Sequence, residues 1–169
     1  MYDKCILCDQ YPETVNLNAL SMKKCKNCQL LWRQSFQRSG FDYESRNSDL
    51  SDRKLASRTN NAAGRINIFK RFINLSNLCD IGCGEGIFLG ALKTNGYTNI
   101  IGVEPNTQAV NFARLKGFEI YEGKLDKFPE LARNKNIRAA TMLHVIEHLE
   151  DPLESLKLVN GGLDQGDHI

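Results

Sequence analysis

The stretch that most restricts the fold is Leu78-Cys79-Asp80-Ile81-Gly82-Cys83-Gly84-Glu85-Gly86-Ile87-Phe88-Leu89. Asn77 to Ile81 reads as a short buried strand, and Gly86 to Asn95 as an amphipathic helix closed by Gly96. Glycines at alternate positions join the two, and an acid, Asp80, stands just ahead of the first. Such glycines permit a sharp turn and let a ligand come close where a Cβ would block it. The helix that follows aims its first N–H groups into the loop. A βα turn of this kind predicts a parallel α/β sheet with a ligand site at the strand ends.

Spacing decides which kind of turn it is. A dinucleotide loop needs G-x-G-x-x-G, whose third glycine lets helix and strand pack closely under a pyrophosphate. Here the pattern is G-x-G-x-G, and Ile87 stands where that third glycine belongs. Asp80 would repel a pyrophosphate and suits a ligand with a cationic amino group. No Gly-Lys-Ser/Thr follows, which excludes a P-loop. At these residues the sequence resembles the class I S-adenosylmethionine-dependent methyltransferases, whose first motif is an acid-x-G-x-G-x-G loop after strand one.

A second acid supports the resemblance. Asn99 to Glu104 is an apolar run closed by Glu104, about twenty residues past the loop, where an acid can accept both ribose hydroxyls of an adenosine. The resemblance gives Glu104 that task. Asn106 caps the next helix, with Ala109, Val110, Phe112, Ala113 and Leu115 as its expected buried face and Gly117 as its end. Phe118 to Tyr121 is the third strand. Gly123-Lys124-Leu125-Asp126 follows, the stretch that contacts the adenine in relatives. Many relatives carry Asp directly after that glycine, where this chain has Lys124. Either the alignment slips to Asp126, or backbone groups near Leu125 hold the adenine.

Ile137 to Leu143 reads as a fourth, buried strand. Asp151, Pro152 and Glu154 open the last helix, and Gly161-Gly162 end it. Between them stands His144-Val145-Ile146-Glu147-His148. On a helix, H-x-x-E-H would be a zinc-protease pattern needing a third ligand well downstream. In class I methyltransferases the same string follows strand four and lines the substrate side of the cofactor. The resemblance covers about Ala62 to the end. It implies cofactor contacts at Asp80, Gly82, Cys83, Gly84, Gly86, Glu104, Pro105, Leu125, Asp126 and Leu143. His144 is the candidate base, since imidazole titrates near neutrality. The small-molecule enzymes that modify sugars or quinones look most similar, so the implied partner is a small methyl acceptor.

Ahead of this lies Cys5-Ile6-Leu7-Cys8, then sixteen residues, then Cys25-Lys26-Asn27-Cys28. Paired C-x2-C turns at this spacing predict a zinc-ribbon-like module with a structural Zn²⁺ on Cys5, Cys8, Cys25 and Cys28. Disulfides or an iron–sulfur cluster are the other readings of four cysteines. Cys79 and Cys83 are expected to be buried, reduced thiols. Similar cysteine-rich modules accompany some sugar C-methyltransferases and some ribosomal RNA methyltransferases.

The expected organisation is therefore a module over residues 1–34, a polar linker over 35–61 and the α/β domain over 62–169. Within the linker, Phe41 and Tyr43 stand out as anchors to the core or as a lid. Ala62 to Leu75 is expected to be helical, with Ile66, Phe69, Phe72 and Ile73 on one face. Residues 1–75 hold 13 Lys/Arg against 7 Asp/Glu, and the remainder 9 against 13. That asymmetry leaves nucleic acid as an alternative partner, weighed against ordinary solvated surface. No apolar run approaches a membrane span and no leader stands at the start, which points to a cytoplasmic protein. Class I methyltransferases have seven strands ordered 3-2-1-4-5-7-6, and this sequence supplies four, with Asp167-His168-Ile169 as the start of a fifth. The expectation is a fragment, with an open fourth strand through which chains could self-associate.

Overall fold

The structure, a computed structural model, describes residues 3–17, 20–32 and 52–169. Residues 35–51 of the expected linker, with Phe41 and Tyr43, lie outside the described residues. The chain divides into two compact units, residues 1–42 and 43–169.

The first unit is a three-stranded antiparallel sheet of β1 (Pro12–Leu17), β2 (Leu20–Cys25) and β3 (Leu31–Trp32), in that order. Pairing sets Pro12 opposite Cys25, and Lys23 opposite Trp32. Its apolar positions carry little burial: Leu7, Tyr11, Leu17, Leu20 and Leu31 are all exposed. Only Cys5 and Cys25 are fully buried among the described residues of this unit.

The second unit runs α1 (Asp52–Phe69), β4 (Leu78–Ile81), α2 (Ile87–Thr94), β5 (Ile100–Glu104), α3 (Thr107–Leu115), β6 (Glu119–Glu122), α4 (Phe128–Lys135), β7 (Ala139–Thr141) and α5 (Pro152–Asn160). The four strands are parallel in the order β6-β5-β4-β7, the 3-2-1-4 arrangement expected. Alternation along β4 and β5 sends successive side chains to opposite faces. Leu78 and Ile100 meet Ile66 of α1, Leu89 and Leu92 of α2 and Val110 of α3 on one side. Cys79, Ile81, Ile101 and Val103 meet Phe128 and Leu131 of α4 and Val159 of α5 on the other. The result is a three-layer α/β/α domain. The chain leaves β4 toward β5 and β6, then returns past β4 to place β7 on its far side. The reversal falls between β4 and β7, and parallel sheets of this type bind ligands at the carboxyl ends of the strands at such a point.

Several expectations change. The helix α4 is absent from the sequence reading. Phe128, Leu131 and Ala132 form its buried stripe, Pro129 lies in its first turn and Asn136 closes it at φ 52°. On α3 only Val110 and Ala113 are fully buried, while Phe112 and Leu115 face outward, the latter 84% exposed. Beyond α1, Ile73 packs on the core but Phe72 is exposed, because the helix ends at Phe69 and the face turns away. The fourth strand is three residues, shorter than Ile137–Leu143. Gly162 does end the last helix region, but by close approach: a Cβ there would lie 2.7 Å from the Cα of Pro129. The pair Asn106 and Asp151 cap as expected, accepting from the backbone N–H of Ala109 at 2.9 Å and of Glu154 at 3.0 Å.

The last residues pair with the sheet. Ala139 and His168 form a parallel bridge, in which Ala140 N–H donates to His168 O at 2.9 Å and His168 N–H to Arg138 O at 3.2 Å. Arg138 Nε donates to Asp167 Oδ1 at 2.5 Å, fixing that register. Among the described residues no helix is long and apolar enough to cross a membrane.

Phe128 is fully buried between α4 and the sheet, so truncation leaves a cavity that neighbouring groups cannot fill. Phe128→Ala is expected to cost about 3–5 kcal/mol in urea unfolding, and the exposed Leu115→Ala within about 0.5 kcal/mol of zero. Equal effects of the two would contradict this core.

Candidate functional site

The parallel register sets the site. Asp80 lies across from Gly102 on one side and Thr141 on the other. Its carboxylate is 3% exposed, and the Thr141 hydroxyl donates to Oδ1 at 2.7 Å. Burial pushes the Asp80 carboxyl up to about 7; the Thr141 hydroxyl opposes the rise, the nearby Glu104 charge adds to it, and Arg65 opposes it. A buried acid this costly to ionise favours a cation beside it.

Glu104 closes β5 and is 7% exposed. Gly84 N–H donates to Oε2 and Asn106 N–H to Oε1, each at 2.9 Å. One carboxylate thus ties the glycine loop to the start of α3. A carboxylate offers about four lone-pair sites, so two hydrogen bonds leave capacity for further donors.

The three loop glycines serve three different ends. At Gly82 a Cβ would lie 2.3 Å from Cγ2 of Val145, so the H-x-x-E-H segment packs directly onto this glycine. At Gly86 a Cβ would meet the Phe118 ring at 2.8 Å, so that glycine lets α2 approach the α3–β6 turn. Gly84, at φ 53°, has nothing within 4 Å of a Cβ position. Only Gly84 faces open space. The sequence reading treated all three as room for a ligand, and two of them instead make room for this chain's own side chains. Between them, Cys83 turns inward over Gly102, where a Cβ would lie 2.4 Å from its Sγ. Burial pushes the Cys83 and Cys79 thiols well up, so both stay protonated, buried and free.

The segment after β7 is not an α-helix. His144 adopts φ 59°, unusual for a residue with a side chain, and Ile146–His148 form a single 3₁₀ turn. The two histidines therefore do not share a helix face, and the zinc-protease pattern fails. His144 Nε2 lies 2.7 Å from Nη2 of Arg65, and its Nδ1 lies 3.3 Å from Oε1 of Glu147. Of the other expected positions, Leu143 packs on the core, Leu125 packs on the opposite core from a 3₁₀ turn, and Pro105 and Asp126 are exposed. Sequence reasoning missed Thr141, Val145 and Arg65. Thr141 was legible as the one polar residue in the apolar run that follows Arg138, whereas Arg65 reaches the site from 79 positions before His144.

In the first unit, the four expected sulfurs converge, each ligand atom within 4.8 Å of the others. The Sγ atoms of Cys5 and Cys28, and of Cys8 and Cys25, lie 3.4 Å apart. The two turns match in detail. Cys5 N–H donates to Gln10 O and Cys25 N–H to Leu30 O; Asp9 N–H returns to Cys5 O, and Gln29 N–H to Cys25 O. Asp9 and Gln29, each just after the second cysteine, both have positive φ. The Cys25 thiol is lowered to about 6, chiefly because Cys28 N–H donates to its sulfur. Thiolates are the form that binds metal.

A family model described as a methyltransferase domain matches residues 43–163. A search of curated protein sequences finds no match. Among solved structures, the chain is similar to a SAM-dependent methyltransferase from Thermotoga maritima, described as a possible histamine N-methyltransferase (24% identity, TM-score 0.53, 68% of this chain and 52% of that one). It is similar also to an S-adenosylmethionine dependent methyltransferase from Mesorhizobium loti (18%, TM-score 0.51, 64% and 52%). A third is the plantazolicin methyltransferase BamL, solved with a triazolic desmethylPZN analog and SAH (13%, TM-score 0.50, 67% and 44%). At these identities the likeness is one of fold. The chain spans about half the length of these structures.

The elevated Asp80 carboxyl carries a stability consequence. Between its ordinary value of 3.8 and about 7, the folded protein holds a proton that the unfolded chain releases. Stability therefore falls as pH rises through that window, by on the order of 4 kcal/mol once Asp80 is fully ionised. Asp80→Asn keeps the acceptor for Thr141 and removes the charge. In urea melts of the ligand-free protein it is expected to match the parent near about pH 4 and to exceed it by more than ~1 kcal/mol at about pH 8. A difference that does not change with pH would contradict the burial of this charge.

Proposed function

The chain belongs to the methyltransferase-domain family, and from that premise we propose that its second unit binds S-adenosylmethionine and serves methyl transfer to a small-molecule acceptor, sugar- or quinone-like. The observation that carries this reading is the pair of buried carboxylates at the ends of adjacent strands, Asp80 and Glu104, with Gly84 open between them. Asp80 suits the cationic amino group of the methionyl end, and the spare lone pairs of Glu104 suit the ribose hydroxyls. Gly82, Cys83, Gly84 and Gly86 form the loop around that ligand. Pro105, Leu125, Asp126 and Leu143 flank the places the adenine and methionyl ends would take. Among the structural neighbours, the T. maritima protein is described as a possible histamine N-methyltransferase and BamL was solved with a triazolic desmethylPZN analog, which supports a small acceptor.

When bound, the cofactor supplies a methyl group already activated by its sulfonium charge. What is left for the chain is to hold the acceptor in line and take its proton. His144, at the tip of β7, is the residue for that proton. Glu147 then faces its other nitrogen and would balance the imidazolium charge.

Calorimetry with S-adenosylhomocysteine tests the reading. Binding is expected, and Glu104→Gln and Asp80→Asn are each expected to weaken it about 10- to 100-fold, the worth of a hydrogen bond to a charged group. Undiminished affinity in both variants, or tight binding of a dinucleotide in place of the nucleoside, would sink it.

The four cysteines of the first unit are proposed to hold a structural Zn²⁺. Tetrahedral Zn–S bonds of about 2.3 Å place sulfurs roughly 3.8 Å apart, within the spread of the present cluster. Six free thiols also suit a reducing, cytoplasmic setting. Metal analysis of the purified chain is expected to give one zinc. Chelation should abolish amide protection in β1 and β2 while leaving β4 and β5 protected. Retention of β1–β2 protection without metal would refute a structural role.

A further inference from the structure

Arg65 comes from α1 and His144 from the tip of β7, yet Nη2 and Nε2 meet at 2.7 Å. A guanidinium carries donors only, so at this contact Nε2 must be the acceptor. A neutral imidazole holds one N–H, and with Nε2 accepting it sits on Nδ1. That nitrogen faces Oε1 of Glu147 at 3.3 Å, where a carboxylate accepts. The two contacts thus require the same tautomer. Turning the ring by half a rotation would put C–H groups against both partners and lose both contacts. His144 also lies at φ 59°, a left-handed backbone conformation uncommon for residues with a Cβ.

We propose that Arg65 is a positioning residue that holds His144 as the neutral Nδ1–H tautomer and covers the lone pair on Nε2. This rests on the reading of His144 as the group that takes the acceptor's proton, and it names the atom. The acceptor's O–H or N–H bond breaks, the new N–H forms on Nε2, and the Nδ1–H already present donates to Glu147. An imidazolium and a guanidinium would set N–H against N–H across 2.7 Å, so Arg65 must swing away before the proton arrives. Arg65 is a guard as well as a lock: its guanidinium occupies the Nε2 side of the ring until it takes another partner.

Ring-¹⁵N spectra of the full chain, labelled at histidine, test this without cofactor or acceptor. At about pH 8.5 an ordinary histidine is neutral and the two nitrogens report the tautomer directly. His144 is identified by the signals lost in His144→Gln. The parent protein should show a pyrrole-like Nδ1 and a pyridine-like Nε2. In Arg65→Met the two resonances should exchange character toward the Nε2–H form that free histidine favours, while Arg65→Lys, which keeps a cationic donor, should retain the parent pattern. An Nε2–H tautomer in the parent overturns the proposal, whether or not the Met variant folds. So does an unchanged pattern in folded Arg65→Met. Because no cofactor is present, failure of S-adenosylhomocysteine binding would leave this result standing, and the reverse also holds.

Discussion

The site depends on the way Glu104 divides its carboxylate. One oxygen holds Gly84 N–H in the loop after β4, and the other holds Asn106 N–H at the entry to α3. Two connections that are far apart in sequence are thereby fixed to one strand end. The loop glycines remove side-chain constraints from their backbone, so without an outside partner the loop would have many conformations to lose on ordering. A buried, charged acceptor offsets that entropy with charge-assisted hydrogen bonds. The same group that shapes the loop keeps spare lone pairs for the ribose hydroxyls of the proposed ligand.

That economy has a cost at Asp80. Its carboxyl is buried beside a second acid, and the hydrogen bond it accepts from the Thr141 hydroxyl only partly offsets the desolvation. A packing-optimised strand would place an apolar residue here. Retaining an acid at the end of β4 lowers the stability of the ligand-free domain, and a cationic ligand would recover the difference on binding. His144 shows the same tension in backbone form, held at positive φ with polar partners on both ring nitrogens. The buried acid of β4 and the left-handed backbone that follows β7 lie on neighbouring strands.

What could be read from the residues follows from how local each signal is. Asn106 and Asp151 cap α3 and α5 through contacts three residues on, and Gly96 and Gly117 follow the ends of α2 and α3 in left-handed conformations, so these ends were visible in the chain. The apolar runs around Leu78 and Ile100 gave the two central strands for the same reason. α4 was overlooked although its stripe is regular, because three buried residues on a two-turn helix are a weak periodic signal. The outward turn of Phe112 and Leu115 was hidden because composition does not say how wide the sheet beneath a helix is. Nothing local distinguishes Gly82 from Gly84; what opposes each Cβ comes from Val145, 63 positions beyond Gly82, or from empty space. Arg65 belongs to the same class, a partner supplied by topology and invisible to spacing. The helical period of H-x-x-E-H, which a metal-binding helix would need, is cancelled by the positive φ at its first residue.

The two units solve the stability problem by different means. The second has enough length to cover both faces of its sheet, and its strands end up buried on each side. The first leaves Leu7, Tyr11, Leu17, Leu20 and Leu31 exposed and fully buries only two cysteines among its described residues. Burial on that scale cannot offset the backbone entropy of even a short hairpin. Something besides apolar contact has to hold two turns and three strands in register. The matched hydrogen bonds of the Cys5 and Cys25 turns are what a tetrahedral ion would ask of both halves, since each turn must present two sulfurs from one side of the backbone. The exposed leucines then need no explanation from packing, because the order of this unit would come from its centre, where the sulfurs meet.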